Sequence, residues 1–187
     1  MELTSRVLDF WFGAPGSDGY GEPRELWFKS DPAFDADVRR RFGGDLEDAA
    51  AGVHDGLIAA PDGALALVIL LDQFPRNIHR GTSDAFAFDP KALDVARRAL
   101  DTGHDQAVAA FQRPFLYLPF EHSEALADQD RSVALFTALG DENTLDYAIR
   151  HRDIIVRFGR FPHRNAILGR SSTPEEVAFL EQPGSSF

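Results

Sequence analysis

Apolar positions recur along this chain at helical spacing and almost nowhere with the two-residue alternation of a half-buried strand. A short first helix reads over 5–12, a second over 32–42, and a third over 45–54 after a break at Gly43-Gly44. Pro61 and Asp62 introduce a helix that starts at Gly63 or Ala64 and ends at Phe74. Its 64–71 stretch is apolar on every side, which places it in the middle of a core. A buried strand competes for this stretch, but leucine and alanine outnumber β-branched residues and favour helix. An amphipathic helix over 90–101 is closed by Gly103, and another over 108–118 leads into Pro119. Asp31 before Pro32, Asp89 before Pro90, and Thr173 before Pro174-Glu175-Glu176 each place a capping side chain ahead of a first-turn proline.

In the last third, one helix over 122–139 puts Leu126, Val133 and Phe136 on one face together with His122 and Gln129. Over 143–159, Leu145, Ile149 and Val156 form one apolar stripe and Tyr147, Ile154 and Phe158 a second, with His151 on the second. Two stripes predict burial on two sides. The expectation is an all-α fold, a single helical domain spanning 1–187, in which antiparallel helices form an array or a superhelical stack. No clean 34-residue period or tetratricopeptide consensus is found.

Composition narrows the setting. A chain of 187 residues with 44% hydrophobic and 26% charged residues can build one core, and the absence of cysteine removes disulfides, thiolate metal sites and cysteine nucleophiles. The start of the chain carries Glu2, Arg6 and Asp9 among its apolar residues, unlike a signal peptide, and the 64–71 run falls far short of the roughly 20 residues a membrane span needs. No membrane is implied, and the expected location is cytoplasmic. A net charge of -11 argues against nucleic acid, whose phosphates require clustered positive charge.

That charge is segregated. Six arginines (Arg150, Arg152, Arg157, Arg160, Arg164, Arg170) stand against Asp153 alone between 150 and 170, giving +5 there and -16 elsewhere. Only Lys29 and Lys91 are lysine, and arginine suits bidentate recognition of carboxylate or phosphate. Internal salt bridging is the plainer account of the same run.

Asp72-Gln73-Phe74-Pro75-Arg76-Asn77 is echoed, with one inserted residue, by Arg160-Phe161-Pro162-His163-Arg164-Asn165. Proline removes a helical hydrogen bond and pushes the preceding phenylalanine out of the α region, so a packed helix should end or kink there. Arg76, Asn77, Arg164 and Asn165 then stand where helix-end carbonyls need donors; ligand binding is the alternative. No two of the six histidines have the i, i+3 or i+4 spacing of a helical chelate, so no metal or cofactor is expected. His122, His151 and His163 with Asp153 or Glu124 could meet only from distant elements. Adjacent His122 and Ser123 point about 100° apart and are no dyad. Glu124 and Asp128, one turn apart, have the spacing for paired-carboxylate acid/base chemistry, but both project opposite Leu126 and read rather as a surface pair. The 13–21 segment lacks a Walker lysine and a preceding strand and reads as a flexible turn. Trp11, Phe12, Trp27 and Phe28 read as apolar anchors for the N-terminal helices.

Several segments together resemble the bacterial family Domain of Unknown Function 924: Leu70-Leu71-Asp72-Gln73-Phe74-Pro75-Arg76-Asn77, His122-Ser123-Glu124, Leu126-Ala127-Asp128-Gln129, and His151-Arg152-Asp153 running into Phe158-Gly159-Arg160-Phe161-Pro162-His163-Arg164-Asn165. The opening Val7-Leu8-Asp9-Phe10-Trp11-Phe12 and the closing Ser172-Thr173-Pro174-Glu175-Glu176 extend the likeness over nearly the whole chain. The resemblance implies an all-α, tetratricopeptide-like superhelix and no established activity. Glu121 stands where the family is expected to carry an apolar residue, which adds a carboxylate beside His122.

Two functions follow as expectations. The first is a helical binding module whose arginine-rich groove, with Arg157, Arg160 and Arg164, accepts an anionic small molecule or a peptide or protein partner. The second is an enzyme on a small anionic substrate, in which arginines hold the anion, His122, His151 or His163 moves a proton, and Glu124 or Asp153 orients the imidazole.

Overall fold

The computed structural model describes residues 2–27 and 29–186. Among these residues every regular element is helical, and no helix is long and apolar enough to cross a membrane. The chain divides into two compact units, one running up to Arg80 and from Asp84 to Pro119, the other comprising Gly81–Ser83 and the chain from Phe120 onward.

The first unit is built around a helical run over 61–78. It consists of α3 (Pro61–Val68), a π-helical segment (Ile69–Gln73) and α4 (Phe74–Ile78). Every residue from Gly63 to Pro75 is buried, as an apolar surface on all sides requires. The helix does not end at Phe74-Pro75. The Phe74 amide reaches back five residues to the Ile69 carbonyl, and Pro75, which has no amide hydrogen to place, sits in the first turn of α4 where none is needed. The π segment thus carries the helix past the proline.

α1 (Leu3–Phe12) and α2 (Pro32–Ala50) cover this run. Gly43-Gly44 does not break α2. Val38, Phe42, Leu46 and Ala49 form one buried stripe across the glycines, and its burial outweighs the roughly 1 kcal/mol that each glycine costs a helix. Asp31 caps α2 as expected, accepting from the Ala33 and Phe34 amides at 2.9 and 3.1 Å. Gly63 has a separate necessity: a Cβ there would stand 2.1 Å from the Leu57 carbonyl oxygen of the 3-10 segment Asp55–Ala59.

The 13–21 segment is a series of turns. Trp11 stacks on Trp27 with centroids 6.1 Å apart, Phe12 and Trp27 both pack edge-on against Phe115, and the Trp27 indole donates to the Trp11 carbonyl at 3.0 Å. These are the expected anchors; Phe28 lies outside the described residues. α5 (Asp89–Asp101), α6 (His104–Ala107) and α7 (Arg113–Glu121) complete the unit, whose boundary falls inside α7 at Pro119. Asp89 is the first residue of α5 and not its N-cap, a position that Phe88 takes, and its carboxylate is held by Arg76. α7 begins and ends later than 108–118, and Pro119 lies within it.

The second unit centres on α8 (Leu126–Leu139) and α9 (Glu142–Phe158), joined by Gly140-Asp141 and packed on each other. The short link makes them antiparallel. Gly140 closes α8 in the left-handed conformation, and the Asp141 side chain caps α9 through the Thr144 amide. No single helix covers 122–139, since 122–125 is a loop. The inner face of α8 is Asp128, Gln129, Ser132 and Phe136, whereas Leu126 is 45% exposed. α9 buries one side only, through Ala148, His151, Ile154 and Ile155, and leaves Tyr147, Ile149 and Val156 exposed. Phe158 and Phe179 pack against the Ile154, Ile155 and Phe161 core, Phe179 from α10 (Pro174–Leu180).

Candidate functional site

The arginines of 150–170 are committed chiefly to acids of their own unit. Arg150 pairs with Asp146, Arg152 with Asp130, and Arg157 with Glu175. Arg160 forks onto both oxygens of Glu176 at 2.7 and 2.8 Å and also donates to the Ser171 carbonyl. Arg170 forks onto Glu124 at 2.7 and 2.9 Å. Arg157 and Asp153, both expected at a site, lie on the exposed side of α9.

Glu176 explains why this arrangement is fixed. It closes the capping box of α10: its carboxylate accepts from the Thr173 amide at 2.7 Å while the Thr173 hydroxyl accepts from the Glu176 amide. Asn165 reaches the same carboxylate at 3.3 Å and Ser172 at 3.1 Å. The Arg160 hydrogen bonds, followed by the Thr173 amide, hold the Glu176 carboxyl down to about 2.

The remaining polar groups converge. α9 ends at Gly159, whose φ of +68° reverses the chain into the 3-10 turn Pro162–Arg164. α7 ends at Glu121 and hands over to the 122–125 loop. His151, buried on α9, lies with its ring 6.4 Å from that of His122 and 5.6 Å from that of Phe161. His163 lies 5.6 Å from Phe161, and the Arg164 guanidinium covers the Phe161 ring at 4.6 Å while donating to the His122 carbonyl at 3.1 Å. Residues drawn from 121–124, 151 and 161–165 thus form one cluster around a phenylalanine.

Its protonation follows from its surroundings. His151 Nδ1 stands 2.9 Å from the Tyr147 carbonyl and 3.3 Å from Glu121 Oε1. A carbonyl can only accept, so Nδ1 carries the hydrogen and the neutral ring keeps a lone pair on Nε2. Burial pushes His151 down to about 3, and burial together with the Arg164 charge pushes His163 down to about 4. Both imidazoles are therefore uncharged at neutral pH. Burial works against a charge on Glu124, but the Arg170 hydrogen bonds and the Phe161 amide at 2.8 Å outweigh it and hold the carboxyl below its usual range.

Glu124 and Asp128 do not form the expected surface pair. Glu124 precedes α8 and takes Arg170, while Asp128 is buried and accepts from the Ser123 hydroxyl at 2.7 Å. Gln129 uses its amide nitrogen on the carbonyls of Glu121 and Ser123 at 2.6 and 2.7 Å, tying off the end of α7. Its Oε1, the Ser132 hydroxyl and Asn165 Oδ1 are buried with no hydrogen-bond partner among the described residues. Glu121, singled out from the sequence as an added carboxylate beside His122, belongs to this neighbourhood; so do Gln129, Arg170 and Glu176, which were not among the expected site residues, although Gln129 and Glu176 stand inside motifs that carried the resemblance.

The first Phe-Pro turn belongs to the first unit. Arg76 is held by Asp89 at 2.9 and 3.2 Å, with Asp72 3.5 Å away, and also donates to the Asp72 carbonyl. Asn77 donates to Asp35 at 2.8 Å. Among the described residues, no group of three or more histidines and carboxylates could hold a metal ion.

Fold and site together define an all-α protein whose second unit gathers imidazoles, an arginine and carboxylates around a buried aromatic ring. The chain belongs to the family described as "Bacterial protein of unknown function (DUF924)", whose model matches residues 7–184. It is similar to the solved structure of a protein of unknown function, ATU0120 from Agrobacterium tumefaciens, with 45% identity and a TM-score of 0.86 over 96% of this chain and 97% of that one. Among curated proteins no match is found.

Proposed function

We propose that the second unit holds a small-molecule site of the histidine, arginine and carboxylate type, and that the chain binds a small anionic ligand there. The observation that carries this reading is the convergence of His122, His151, His163 and Arg164 with Glu121 and Glu124. Arg164 supplies the fixed positive charge, and the uncharged imidazoles of His151 and His163 supply hydrogen bonds that do not compete for the anion. The buried Gln129, Ser132 and Asn165 oxygens support it further, because such atoms are costly unless something polar completes them. The arginine-rich groove expected from Arg157, Arg160 and Arg164 contracts in this reading to Arg164 alone.

A second reading, proton-transfer catalysis on the bound anion, is favoured by one feature. The Tyr147 carbonyl accepts the His151 Nδ1 hydrogen, which orients the ring and leaves the Nε2 lone pair as the group that would take a proton, with Glu121 3.3 Å from Nδ1. A tetratricopeptide-like superhelix belongs among these proposals as an analogy; the antiparallel α8–α9 hairpin is the kind of unit such arrays repeat.

The test is a thermal-shift panel of small carboxylates and phosphate esters. A ligand at about 100 times its Kd adds roughly 2.7 kcal/mol. A hit on the wild type that vanishes in His151→Asn and Arg164→Gln supports the site, and turnover of that hit supports catalysis. A hit that both variants retain places binding elsewhere.

A further inference from the structure

The sequence holds a second arginine run, Arg39-Arg40-Arg41, that the cluster described above does not use. It lies on α2, where the 3.6-residue repeat aligns Asp35 with Arg39 and Ala36 with Arg40, and these residues line a groove of about 450 Å³ together with Asn77 and Arg80. That volume suits a small molecule.

The charges in the groove are unbalanced. Arg80 forks onto Asp35 at 2.7 and 2.9 Å, and the Asn77 amide adds a third hydrogen bond to the same carboxylate. Burial opposes the Asp35 charge, but the Arg80 and Asn77 hydrogen bonds outweigh it, so the carboxylate is fully ionised at neutral pH and cancels one guanidinium. Arg39 makes no ion pair with a carboxylate among the described residues, although its charge also favours the ionised Asp35. It donates to the Ile78 carbonyl at the end of α4. Arg40 is 72% exposed and pairs with Asp37, which lies outside the groove and also takes Arg41. Counting those neighbours, four arginines face two aspartates, a local excess of two positive charges in a chain of net charge -11.

Donors remain as well as charge. A guanidinium carries five N–H groups in a planar fork. Arg80 spends Nε and Nη2 on Asp35, Arg39 spends Nη2 on Ile78, and Arg40 spends Nη2 on Asp37. The Nη1 group of each, and Nε of Arg39 and Arg40, have no partner among the described residues. An excess of two positive charges with several charge-bearing donors matches a dianion better than a monocarboxylate, which would neutralise half of it.

We propose that this groove binds a phosphate monoester. The phosphoryl group takes charge-assisted hydrogen bonds from Arg39, Arg40 and Arg80, while the remaining volume holds the ester's organic part. The groove is built entirely from the first unit and does not depend on the site proposed for the second.

The test is calorimetric titration at low salt with inorganic phosphate, phenyl phosphate and benzoate as probes, using the wild type, Arg40→Glu, Arg39→Gln and a remote control, Arg150→Gln. Saturable binding of phenyl phosphate is expected, tighter than that of phosphate and much tighter than that of benzoate. Losing one charge-assisted contact should weaken it about tenfold or more in Arg39→Gln. Arg40→Glu, whose side chain is exposed and whose folding is checked by its melting curve, should weaken it further, and Arg150→Gln should leave it unchanged. The proposal is overturned if phenyl phosphate gives no saturable heat, if benzoate binds as tightly, if Arg40→Glu binds like the wild type, or if Arg150→Gln loses as much as the groove variants.

Discussion

Glu124 and Arg170, 46 residues apart in sequence, close a two-toothed ion pair at 2.7 and 2.9 Å, and the same carboxylate accepts from the Phe161 amide. Three segments of the second unit are pinned by this one side chain. Both partners are partly exposed, so solvent screening trims the pair, and Glu124→Gln should cost about 1 kcal/mol in urea unfolding at pH 7. The folded carboxyl lies below its ordinary range. Its contribution is therefore fully present above the unfolded pKa and is lost as pH falls through the folded one. The gap between variant and wild type should close on acidification; a gap that stays constant down to acid would contradict the ion pair.

Arg160 and Glu176 act as a unit with the α10 cap. Arg160→Gln and Glu176→Gln should each lower the melting temperature by several degrees at pH 7, and the double variant should fall little further, because both remove the same interaction. With Glu176 held to about 2, its stabilisation is complete above about pH 4.5 and drains away between there and about 2. Unchanged melting in Arg160→Gln would return this arginine to the ligand-binding candidates.

The buried histidines act on pH in their own sense. His151 and His163 have folded values of about 3 and about 4, so between pH 6.5 and those values the unfolded chain takes up protons that the folded chain refuses. Stability should fall with pH through that window, and His151→Asn should flatten the slope. In NMR titration, the His151 ring carbons should not move between pH 8 and pH 5; a midpoint near 6.5 would contradict its burial.

Two glycines of the first unit should respond oppositely to alanine. Gly63→Ala drives a Cβ into the Leu57 carbonyl and should cost more than about 3 kcal/mol or prevent folding. Gly44 is exposed, helical and without neighbours within 4 Å, so Gly44→Ala should add about 0.5–1 kcal/mol. Thermal melts of the pair decide both.

These contrasts mark what the sequence disclosed. The all-helical class, the Asp31 and Thr173 caps, the buried 64–71 run and the aromatic anchors rest on local rules of spacing and capping, and a single sequence displays those. The passage of a helix through Gly43-Gly44 and Pro75 depends on tertiary burial that outweighs local breaking tendencies, and no window of sequence contains it. On α9 the two apolar stripes were visible, but periodicity does not say which faces a partner helix, and Tyr147, Ile149 and Val156 proved to be exposed. His122, His151 and His163 were singled out as candidates, yet the acids that claim Arg157, Arg160 and Arg170 lie 16 to 46 residues away. Arg39, Arg40 and Arg80 passed unnoticed, since only the packing of α2 on α4 makes a groove of them.

The measurement that bears most directly on the proposed site is a side-chain NMR titration of His122, His151 and His163 with small carboxylates and phosphate esters. These imidazoles report on the second unit and are blind to anions that settle in the arginine groove of the first. The account predicts that a selective anion shifts all three resonances with one common Kd, and that Arg164→Gln abolishes the response while the fold persists. If no anion moves them, and Arg164→Gln changes only the melting temperature, the cluster is internal bracing and the proposed site is wrong.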